Sequence, residues 1–193
     1  MIIDNYNGVA VIQAHSVGMQ RLLPVFTLGL QELYGTDLTA VYDKSSETME
    51  KSKLITRHSK QFLKDRNIGE ETTTSAKLHS SSGSPIVSDT NSSDQFLYGT
   101  SGPVEIKETG HRFSIDFIRG QKTGFFLDQR GNRMFAQFYA KDKKVLNAFC
   151  YSGAFSVYAL KGGASMVPSI DSSKQAIEWT SRNVSLNGCD ESK

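Results

Sequence analysis

The fold is decided by residues 145–155, which read VLNAFCYSGAF. Val145 to Phe149 form an almost unbroken apolar run, which is typical of a parallel strand buried on both faces. The turn after this strand carries Gly153 and leads into an apolar helix, predicted over Ala154 to Leu160 and ended by the glycine pair at 162–163. A strand, a glycine turn and a helix in this order predict the opening of an α/β fold.

A second strand and helix follow and complete a βαβα unit. Ser165 to Ile170 predict a strand that ends on Asp171, although Pro168 within it would remove one hydrogen bond of the ladder. Ser172 and Gln175 then match the N-cap and N3 positions of a capping box. The apolar face of the helix that they open carries Ala176, Ile177, Thr180 and Val184, and Gly188 follows its end.

The two strand ends predict a nucleoside-binding crevice. In a right-handed βαβ unit, the carboxyl ends of both strands face one crevice, where open α/β sheets bind ligands. Gly153 would let the backbone approach a ligand without a Cβ in the way, and the Asp171 carboxylate can accept hydrogen bonds from both ribose hydroxyls. The alternative is a glycine kept for helix packing and an aspartate that caps the helix.

The glycines that are missing narrow the choice of cofactor. Dinucleotide sites use a G-x-G-x-x-G turn, whereas this turn has one glycine, and residues 120–124, GQKTG, lack the earlier glycine of a phosphate loop and have Gln121 directly before the lysine. NAD and ATP are therefore disfavoured. A single-glycine turn lined by aromatic residues favours a cofactor without phosphates that carries a sulfonium, which Phe149, Tyr151 or Phe155 could hold by cation–π attraction.

Residues on the N-terminal side predict an α+β domain from Met1 to about Arg119. Asn7-Gly8 and Thr109-Gly110 are each typical of a hairpin turn; the first would join strands at 2–3 and 9–12, and the second strands at 104–107 and 113–117. Between them we predict a strand over Thr39 to Tyr42.

A helix is predicted from about Val17 to Tyr34. Its apolar residues recur at three- and four-residue spacing and would form the buried face: Leu22, Phe26, Leu30 and Leu33. Pro24 would have to lie in the first turn of this helix or bend it.

The region between the first strands and the second hairpin is polar. A helix-compatible stretch runs toward Lys64 and carries a basic cluster, which is either a phosphate-contacting face or a solvated helix face: Arg57, His58, Lys60, Lys64 and Arg66. From Glu70 to Asp94 the composition shifts to Ser, Thr, Gly and Asn, which predicts a mobile insert. A phosphorylated regulatory segment is the alternative.

Composition excludes several classes of protein. The longest apolar runs, such as Gly8 to Ala14, are too short to span a bilayer, so we expect a cytoplasmic protein with no membrane partner. Cys150 and Cys189 form neither a disulfide framework nor a zinc site, and none of the four histidines stands at ligand spacing from a carboxylate or cysteine, so we expect no metal. The net charge of +2 permits RNA as a partner without requiring it.

Four motifs together resemble a known family. They are GQKTGFFLDQR at 120–130, LNAFCYSGAFS at 146–156, SIDSS at 169–173 and Asn187-Gly188. They closely resemble the family of bacterial ribosomal RNA large-subunit methyltransferases that includes a 5-methylcytosine enzyme, and the resemblance is dense from Val104 to Gly188. It implies a Rossmann-like methyltransferase domain over residues 120–193, S-adenosylmethionine as cofactor and a base of ribosomal RNA as substrate.

The resemblance also implies two groups of cofactor-binding residues. The first would line the methionine and ribose end of the pocket, with Asp171 on the ribose and Ser172 beside it: Asn147, Phe149, Tyr151, Ser152, Gly153 and Phe155. The second would close the pocket from the preceding segment: Gln121, Thr123, Phe126, Asp128 and Arg130. The alternative for this second group is an ordinary helix start, in which Asp128 is a cap and Arg130 and Arg133 are solvated.

The sequence departs from this family at both ends. Relatives usually begin with a small RNA-binding domain, whereas Met1 starts directly at the central domain, and the chain stops after the first two strands of the methyltransferase sheet. We therefore expect a fragment that lacks the catalytic half, including the thiolate that methylation of cytosine C5 would need. The catalytic residues stay unknown, and the incomplete sheet predicts self-association. The rival functions are a non-catalytic RNA-binding or assembly remnant and, disfavoured by the missing glycines, a nucleotide-dependent oxidoreductase.

Overall fold

A computed structural model describes residues 1–47, 95–190 and 192. Contacts divide the chain into two compact units, Met1–Ser101 and Gly102–Lys193. The predicted polar helical stretch, the basic cluster at 57–66 and the Ser/Thr-rich insert at 70–94 lie outside the described residues.

The first unit contains a mixed sheet whose described strands lie in the order β1-β2-β3-β4. These are β1 (Ile2–Tyr6), β2 (Val9–Gln13), β3 (Ala40–Asp43) and β4 (Phe96–Gly99). The predicted first hairpin is confirmed, because β1 and β2 pair antiparallel around Asn7 and Gly8, whose φ angles of 50° and 91° suit a tight hairpin turn. β2 and β3 pair in parallel, and β4 pairs antiparallel with β3.

The predicted helix over residues 17–34 is two helices, α1 (Val17–Arg21) and α2 (Leu23–Tyr34). Pro24 lies in the first turn of α2, where a residue without an N–H is tolerated. The predicted buried face was wrong at its ends, since Leu22 is exposed and Leu33 is 74% exposed, whereas Leu23 and Thr27 are buried. Because a new helix begins at Leu23, its buried positions lie one residue later in the sequence than predicted.

The second unit begins with the second predicted hairpin, which is also confirmed. β5 (Val104–Glu108) and β6 (His111–Ile115) pair antiparallel, with positive φ angles at Thr109 and Gly110. The remaining elements are α3 (Arg130–Tyr139), β7 (Asn147–Ala148), α4 (Ala154–Lys161), β8 (Ser169–Ile170) and α5 (Lys174–Leu186), and β7 and β8 pair in parallel. The predicted βαβα order is therefore present.

The hairpin is fixed to α5 by two asparagine side chains. Asn183 Oδ1 accepts the N–H of Ser114 at 2.8 Å, and the Asn187 amide bonds both the N–H and the carbonyl of Arg112, at 2.9 and 2.7 Å. These contacts explain why the hairpin belongs to the second unit. The division at residues 101 and 102 accordingly precedes the hairpin, whereas the predicted boundary near Arg119 follows it.

The pairing of β7 with β8 extends beyond the two residues of regular strand. Val145 N donates to Met166 O, and Asn147 N donates to Pro168 O, both at 2.9 Å. In a parallel ladder the next bond would come from the nitrogen of residue 168 to Val145 O, and proline has no hydrogen to give. The predicted loss of a ladder bond at Pro168 thus explains why regular strand geometry begins only at Asn147 and Ser169.

In the described part of the chain this sheet is covered on one face, whereas the apolar run of the first strand is typical of burial on both faces. Val145 and Val167 pack with Ala159 of α4 on one face. On the other face Leu146 is 64% exposed, because no described element covers it. Phe149, directly after β7, is exposed as well.

The start of α5 differs from the prediction by one residue. Ser173, not Ser172, is the N-cap, and its hydroxyl accepts the N–H of Ala176 at 3.3 Å. The Asp171 carboxylate accounts for this difference. It accepts a hydrogen bond from the backbone N–H of Ser173, so the helix begins after that residue. Of the predicted apolar face Ala176, Thr180 and Val184 are buried, but Ile177 is exposed.

Candidate functional site

The turn between β7 and α4, which we call the 149–153 turn, adopts left-handed backbone at three positions. Phe149, Tyr151 and Gly153 have φ angles of 58°, 49° and 73°. This conformation costs a residue with a Cβ roughly 1–2 kcal/mol. Backbone bonds hold it, from Cys150 N to Ile170 O at 3.0 Å and from Gly153 N to Cys150 O at 2.8 Å. Strained backbone that its surroundings fix in this way clusters at binding sites.

Asp171 joins the ends of both strands. Its Oδ2 accepts the N–H of Tyr151 at 3.0 Å, and its Oδ1 accepts the N–H of Ser173 at 2.9 Å. The bond from Ser173, followed by the bond from Tyr151, holds the pKa of this carboxyl below its ordinary value. The group is therefore ionised near neutral pH, and its two oxygens offer about four lone-pair sites, more than the backbone N–H groups around it occupy. Asp171 thus organises the start of α5 and keeps acceptor capacity for a ligand.

Gly153 is required by packing. A Cβ built on it would lie 2.6 Å from Thr180 Cγ2 and 2.8 Å from Thr180 Cα, closer than real Cβ atoms come to a neighbour. The glycine therefore lets the turn approach α5. This is the packing alternative from the sequence, and the space that we expected Gly153 to leave for a ligand is filled by Thr180.

Tyr151 connects the 149–153 turn to residues 120–126, which we call the 120–126 segment. Its hydroxyl donates to Gly124 O and accepts the N–H of Gln121, both at 2.9 Å. Its ring makes edge contacts with Phe126 and Trp179, at centroid distances of 5.5 and 5.7 Å. The segment predicted to close the pocket is thus attached to the turn, with Gln121 exposed, Phe126 half-buried and Thr123 buried.

The charged residues after this segment do not fully match either the predicted role in the cofactor pocket or the alternative of an ordinary helix start. Asp128 is exposed in a 3-10 turn and contacts the Gln129 side chain at 3.0 Å, so it does not cap α3. Arg130 is half-exposed and pairs with Glu108 at 3.1 Å. The alternative of a solvated Arg133 is wrong, because this side chain is buried and forms two bonds to Glu108.

The remaining predicted residues separate into two groups. Phe149, which is 88% exposed, and Ser172 lie at the strand ends beside Asp171. Asn147 is directed toward α4 instead, where its Nδ2 donates to Ser156 Oγ at 2.7 Å. Ser152 is buried and Phe155 is half-buried at the start of α4. The Asn147 side chain therefore bonds away from the strand ends, toward α4.

Asn183 is a residue that the sequence reasoning missed. It is fully buried, its Oδ1 binds the backbone of β6, and its Nδ2 donates to Ser152 O at 2.9 Å. Asn183 therefore ties the hairpin to the 149–153 turn. The sequence does contain an indication of this role, because Asn183 and Asn187 stand one helical turn apart. The buried face of α5 was predicted from its apolar residues alone.

The two cysteines are poorly suited to act as nucleophiles. Cys150 is buried with its Sγ 3.3 Å from Thr180 Oγ1, and burial raises the pKa of its thiol. Cys189 is partly buried, and burial raises the pKa of its thiol as well. A raised pKa lowers the fraction of reactive thiolate near neutral pH.

A cavity of about 430 Å³ lies between α4, β8 and α5. Its walls include Ser156, Val167, Thr180 and Asp190, and thus belong to the helix-covered side of the sheet. The candidate site at the strand ends rests on hydrogen-bond geometry, which is independent of this cavity. Among residues 1–47, 95–190 and 192 no group of three His, Cys, Asp or Glu side chains is placed to hold a metal ion. No helix in the described part of the chain is long and apolar enough to cross a membrane.

Comparisons with known proteins converge on one chemistry. The family model described as S-adenosylmethionine-dependent methyltransferase matches residues 56–193. Ribosomal RNA large subunit methyltransferase I of Tolumonas auensis is 34% identical over 99% of this chain and 40% of its own length. The protein of the same name from Pseudoalteromonas atlantica is 51% identical over 47% of this chain and 23% of its own length.

Solved structures share the fold. A structure from Streptococcus mutans aligns with a TM-score of 0.66 and 23% identity over 97% of this chain and 39% of that chain. Trm5 of Methanocaldococcus jannaschii, solved in complex with adenosine, aligns with a TM-score of 0.57 and 16% identity over 98% of this chain and 43% of that chain. The chain spans about 40% of the length of the curated relatives that it matches from end to end.

Proposed function

Because the chain belongs to the S-adenosylmethionine-dependent methyltransferase family, we propose that its second unit binds S-adenosylmethionine at the 149–153 turn, as part of an enzyme that methylates a base of large-subunit ribosomal RNA. The observation that carries this proposal is the ionised Asp171 carboxylate at the ends of two parallel strands. That position is where open α/β sheets bind their ligands.

The ribose of the cofactor is assigned to Asp171. The carboxylate accepts from the backbone N–H groups of Tyr151 and Ser173, with Ser172 as a further backbone donor, and its remaining acceptor capacity can receive a ribose hydroxyl while the turn stays fixed. Ser172, exposed beside it, offers a hydroxyl to the same ligand. Helix capping and ribose binding are thus compatible roles of one side chain.

The sulfonium is assigned to the aromatic residues beside this carboxylate. Phe149 exposes its ring directly after β7, and Phe126 and Tyr151 meet edge to face. An aromatic ring attracts a cation with about 0.5–2 kcal/mol, depending on its exposure to water. The bound cofactor would supply an electrophilic methyl group, and the chain's own residues would orient it. Gln121, Thr123, Asp128 and Arg130 would close this side of the pocket.

The choice of RNA substrate is supported by the names of the relatives, which are ribosomal RNA large subunit methyltransferases. Methylation at cytosine C5 requires a thiolate that adds to C6 of the base. Cys150 is buried against Thr180 and Cys189 has a raised pKa, so neither supplies that thiolate. We therefore assign to this chain the binding of the cofactor rather than activation of the base. Action on ribosomal RNA would place the protein in the cytoplasm.

Self-association, which the incomplete sheet led us to expect, is a further part of the proposal, and we place it on α3 instead of the sheet. The solvent-facing side of α3 is apolar, and we call it the α3 aromatic face: Met134, Phe135, Phe138 and Tyr139 are all exposed. Contiguous exposed apolar side chains mark interaction surfaces. We assign this face to contact with a second copy of the chain.

Titration of the chain with S-adenosylmethionine tests the cofactor assignment. Trp179 is the single tryptophan of the sequence and touches the Tyr151 ring, so its fluorescence reports on the 149–153 turn. We expect a saturable change in emission with S-adenosylmethionine and with S-adenosylhomocysteine, and none with ATP. Equal responses to all three, or none to any, would overturn the proposal.

A further inference from the structure

Arg133 joins three parts of the second unit through a buried guanidinium. The residue is 1% exposed. Its Nε and Nη2 donate to the two carboxylate oxygens of Glu108 at the end of β5, each at 2.9 Å, and its Nη1 donates to Phe126 O at 3.0 Å. Three of its donor groups are therefore committed, two to a carboxylate and one to the 120–126 segment.

The surroundings hold the guanidinium in one orientation. Tyr158 of α4 donates to Glu108 Oε1 at 2.9 Å and also bonds the hydroxyl of Thr109. The guanidinium carbon lies 4.7 Å from the centre of the Phe125 ring. Both ends of the ion pair are thus held by side chains, of which Tyr158 and Phe125 are buried.

A buried ion pair is weak support for a purely stabilising role. Desolvation of two charges is costly, and well-packed apolar residues of similar size often give equal or greater stability. An apolar side chain could not reproduce the third contact, in which Arg133 holds a backbone carbonyl of the 120–126 segment. That contact is the property that distinguishes arginine at this position.

Two side chains from outside the 120–126 segment form hydrogen bonds to its backbone, one near each end. Tyr151 bonds Gln121 and Gly124, while Arg133 bonds the carbonyl of Phe126. The Phe126 ring in turn lies against Tyr151 at a centroid distance of 5.5 Å. Loss of the Arg133 bond would remove the long-range hydrogen bond at the far end of the segment, which would then be held by local contacts: the Gln129 N–H on the Phe126 carbonyl at 3.1 Å, the packing of Phe125 against Phe113, and the ring contact with Tyr151.

We infer that Arg133 is a positioning residue of the cofactor site, which fixes the 120–126 segment against the 149–153 turn before S-adenosylmethionine binds. The inference rests on the proposed function for the identity of the ligand. Preorganisation of this kind raises affinity because fewer groups lose their freedom on binding. Arg133 touches neither the cofactor nor the base in this arrangement and acts through Phe126.

The variant Arg133→Lys keeps the positive charge at this position but removes the guanidinium that positions the 120–126 segment. A lysine ammonium can pair with Glu108, but as a single point charge it cannot also present a planar fork to both the carboxylate and the Phe126 carbonyl. The matched control is Gln137→Met on the same helix. The Gln137 side chain anchors α3 to β6 through a hydrogen bond to His111 at 2.9 Å and forms none with the 120–126 segment.

The test measures the affinity for S-adenosylmethionine, thermal unfolding and amide hydrogen exchange of the whole chain. We expect Arg133→Lys to unfold cooperatively, to bind S-adenosylmethionine about tenfold or more weakly, and to exchange the Gln121 and Gly124 amides at least tenfold faster, with altered Trp179 emission in the free protein. Gln137→Met should keep the affinity and these exchange rates. Lower stability with unchanged affinity and exchange would indicate a merely structural role and overturn the inference.

The experiment still tests the role of Arg133 if the wild-type chain does not bind the cofactor or if Arg133→Lys does not fold. If the wild-type chain does not bind S-adenosylmethionine, the proposed function fails, but the exchange rates at Gln121 and Gly124 still decide the role of Arg133. If Arg133→Lys does not fold, Glu108→Asp takes its place, since it keeps the ion pair and draws the guanidinium away from Phe126. Unchanged exchange in Glu108→Asp would then overturn the inference.

Discussion

The backbone N–H of Tyr151 donates to the carboxylate of Asp171 at 3.0 Å, so the residue that follows β8 holds the turn that follows β7. The bond joins the two strand ends that a nucleoside would have to bridge. It also fixes Tyr151 in left-handed backbone, and the Tyr151 hydroxyl fixes the 120–126 segment. One carboxylate thereby organises the whole candidate site, and its replacement is the first prediction.

Asp171→Ala should weaken binding of S-adenosylmethionine by about 1–3 kcal/mol, the scale of hydrogen bonds lost to a buried partner. The matched control is Ser173→Ala, which removes the N-cap of α5 and should cost about 0.5–2 kcal/mol of stability without a change in affinity. Calorimetric titration and thermal unfolding of both variants measure the two effects. Equal affinity in wild type and Asp171→Ala would remove Asp171 from the site.

The same carboxylate should contribute to stability in a pH-dependent way. Hydrogen bonds from Ser173 and Tyr151 hold the pKa of Asp171 below its ordinary value of 3.8. A depressed pKa in the folded state means that the contribution is present above 3.8 and is lost as the pH falls through the lower folded value. Urea unfolding at a series of acidic pH values should therefore show a shallower loss of stability in Asp171→Asn than in wild type. The comparison of the two proteins removes the background from Glu105, whose pKa Arg112 also lowers.

Gly153→Ala should destabilise the second unit strongly. The new methyl group would meet Thr180 at 2.6 Å, and its backbone would keep a positive φ of 73°. Overpacking alone costs about 1–3 kcal/mol. Gly131→Ala on α3 is the control, because a Cβ there meets nothing within 4 Å and should be neutral or stabilise the helix by up to about 1 kcal/mol. If both variants unfold alike, the packing role of Gly153 is wrong.

Local patterns predicted most of this fold. The turns at Asn7-Gly8 and Thr109-Gly110 have positive φ at both positions, the backbone of a tight hairpin turn, and the glycine of each pair suits that backbone. Pro24 could only begin a helix or bend it, and it begins α2. Such features are decided by a few consecutive residues, so the sequence alone contains them.

Features that depend on distant contacts were misjudged. Ser172 and Ser173 are equally good caps, and the choice falls to the Asp171 carboxylate, which binds Ser173 N. The solvated alternative for Arg133 was wrong because Glu108, distant in sequence, supplies the partner that allows an arginine to be buried. The hairpin joins the second unit because Asn183 binds its backbone. None of these partners is visible in the local pattern.

The buried and exposed ion pairs of the hairpin should respond very differently to mutation. Glu108→Ala leaves the buried Arg133 charge without its partner and should cost about 3–5 kcal/mol of stability. Glu105→Ala removes an exposed pair with Arg112 and should leave the stability nearly unchanged. Chemical unfolding of both variants provides the comparison, and similar losses would contradict a dominant role for burial.

The last prediction concerns the α3 aromatic face. The buried side of α3 carries Arg133, and its solvent side carries Phe138, which is 76% exposed, and Phe135. Transfer of such rings out of water is favourable by about 25 cal/mol per Å² of buried apolar area. A second copy of the chain would cover this face, so light scattering should give a mass above 21.3 kDa that rises with concentration.

The double variant Phe135→Ser with Phe138→Ser should shift this equilibrium toward the monomer. The control is Leu33→Ser, which replaces a side chain of comparable exposure on α2 of the first unit and should leave the mass unchanged. Circular dichroism checks that each variant keeps its helices. If Leu33→Ser dissociates the protein as effectively as the double variant, exposed apolar surface in general drives association and the α3 aromatic face is not the interface. A wild-type mass of 21.3 kDa at every concentration would mean that this face does not associate with a second copy at all.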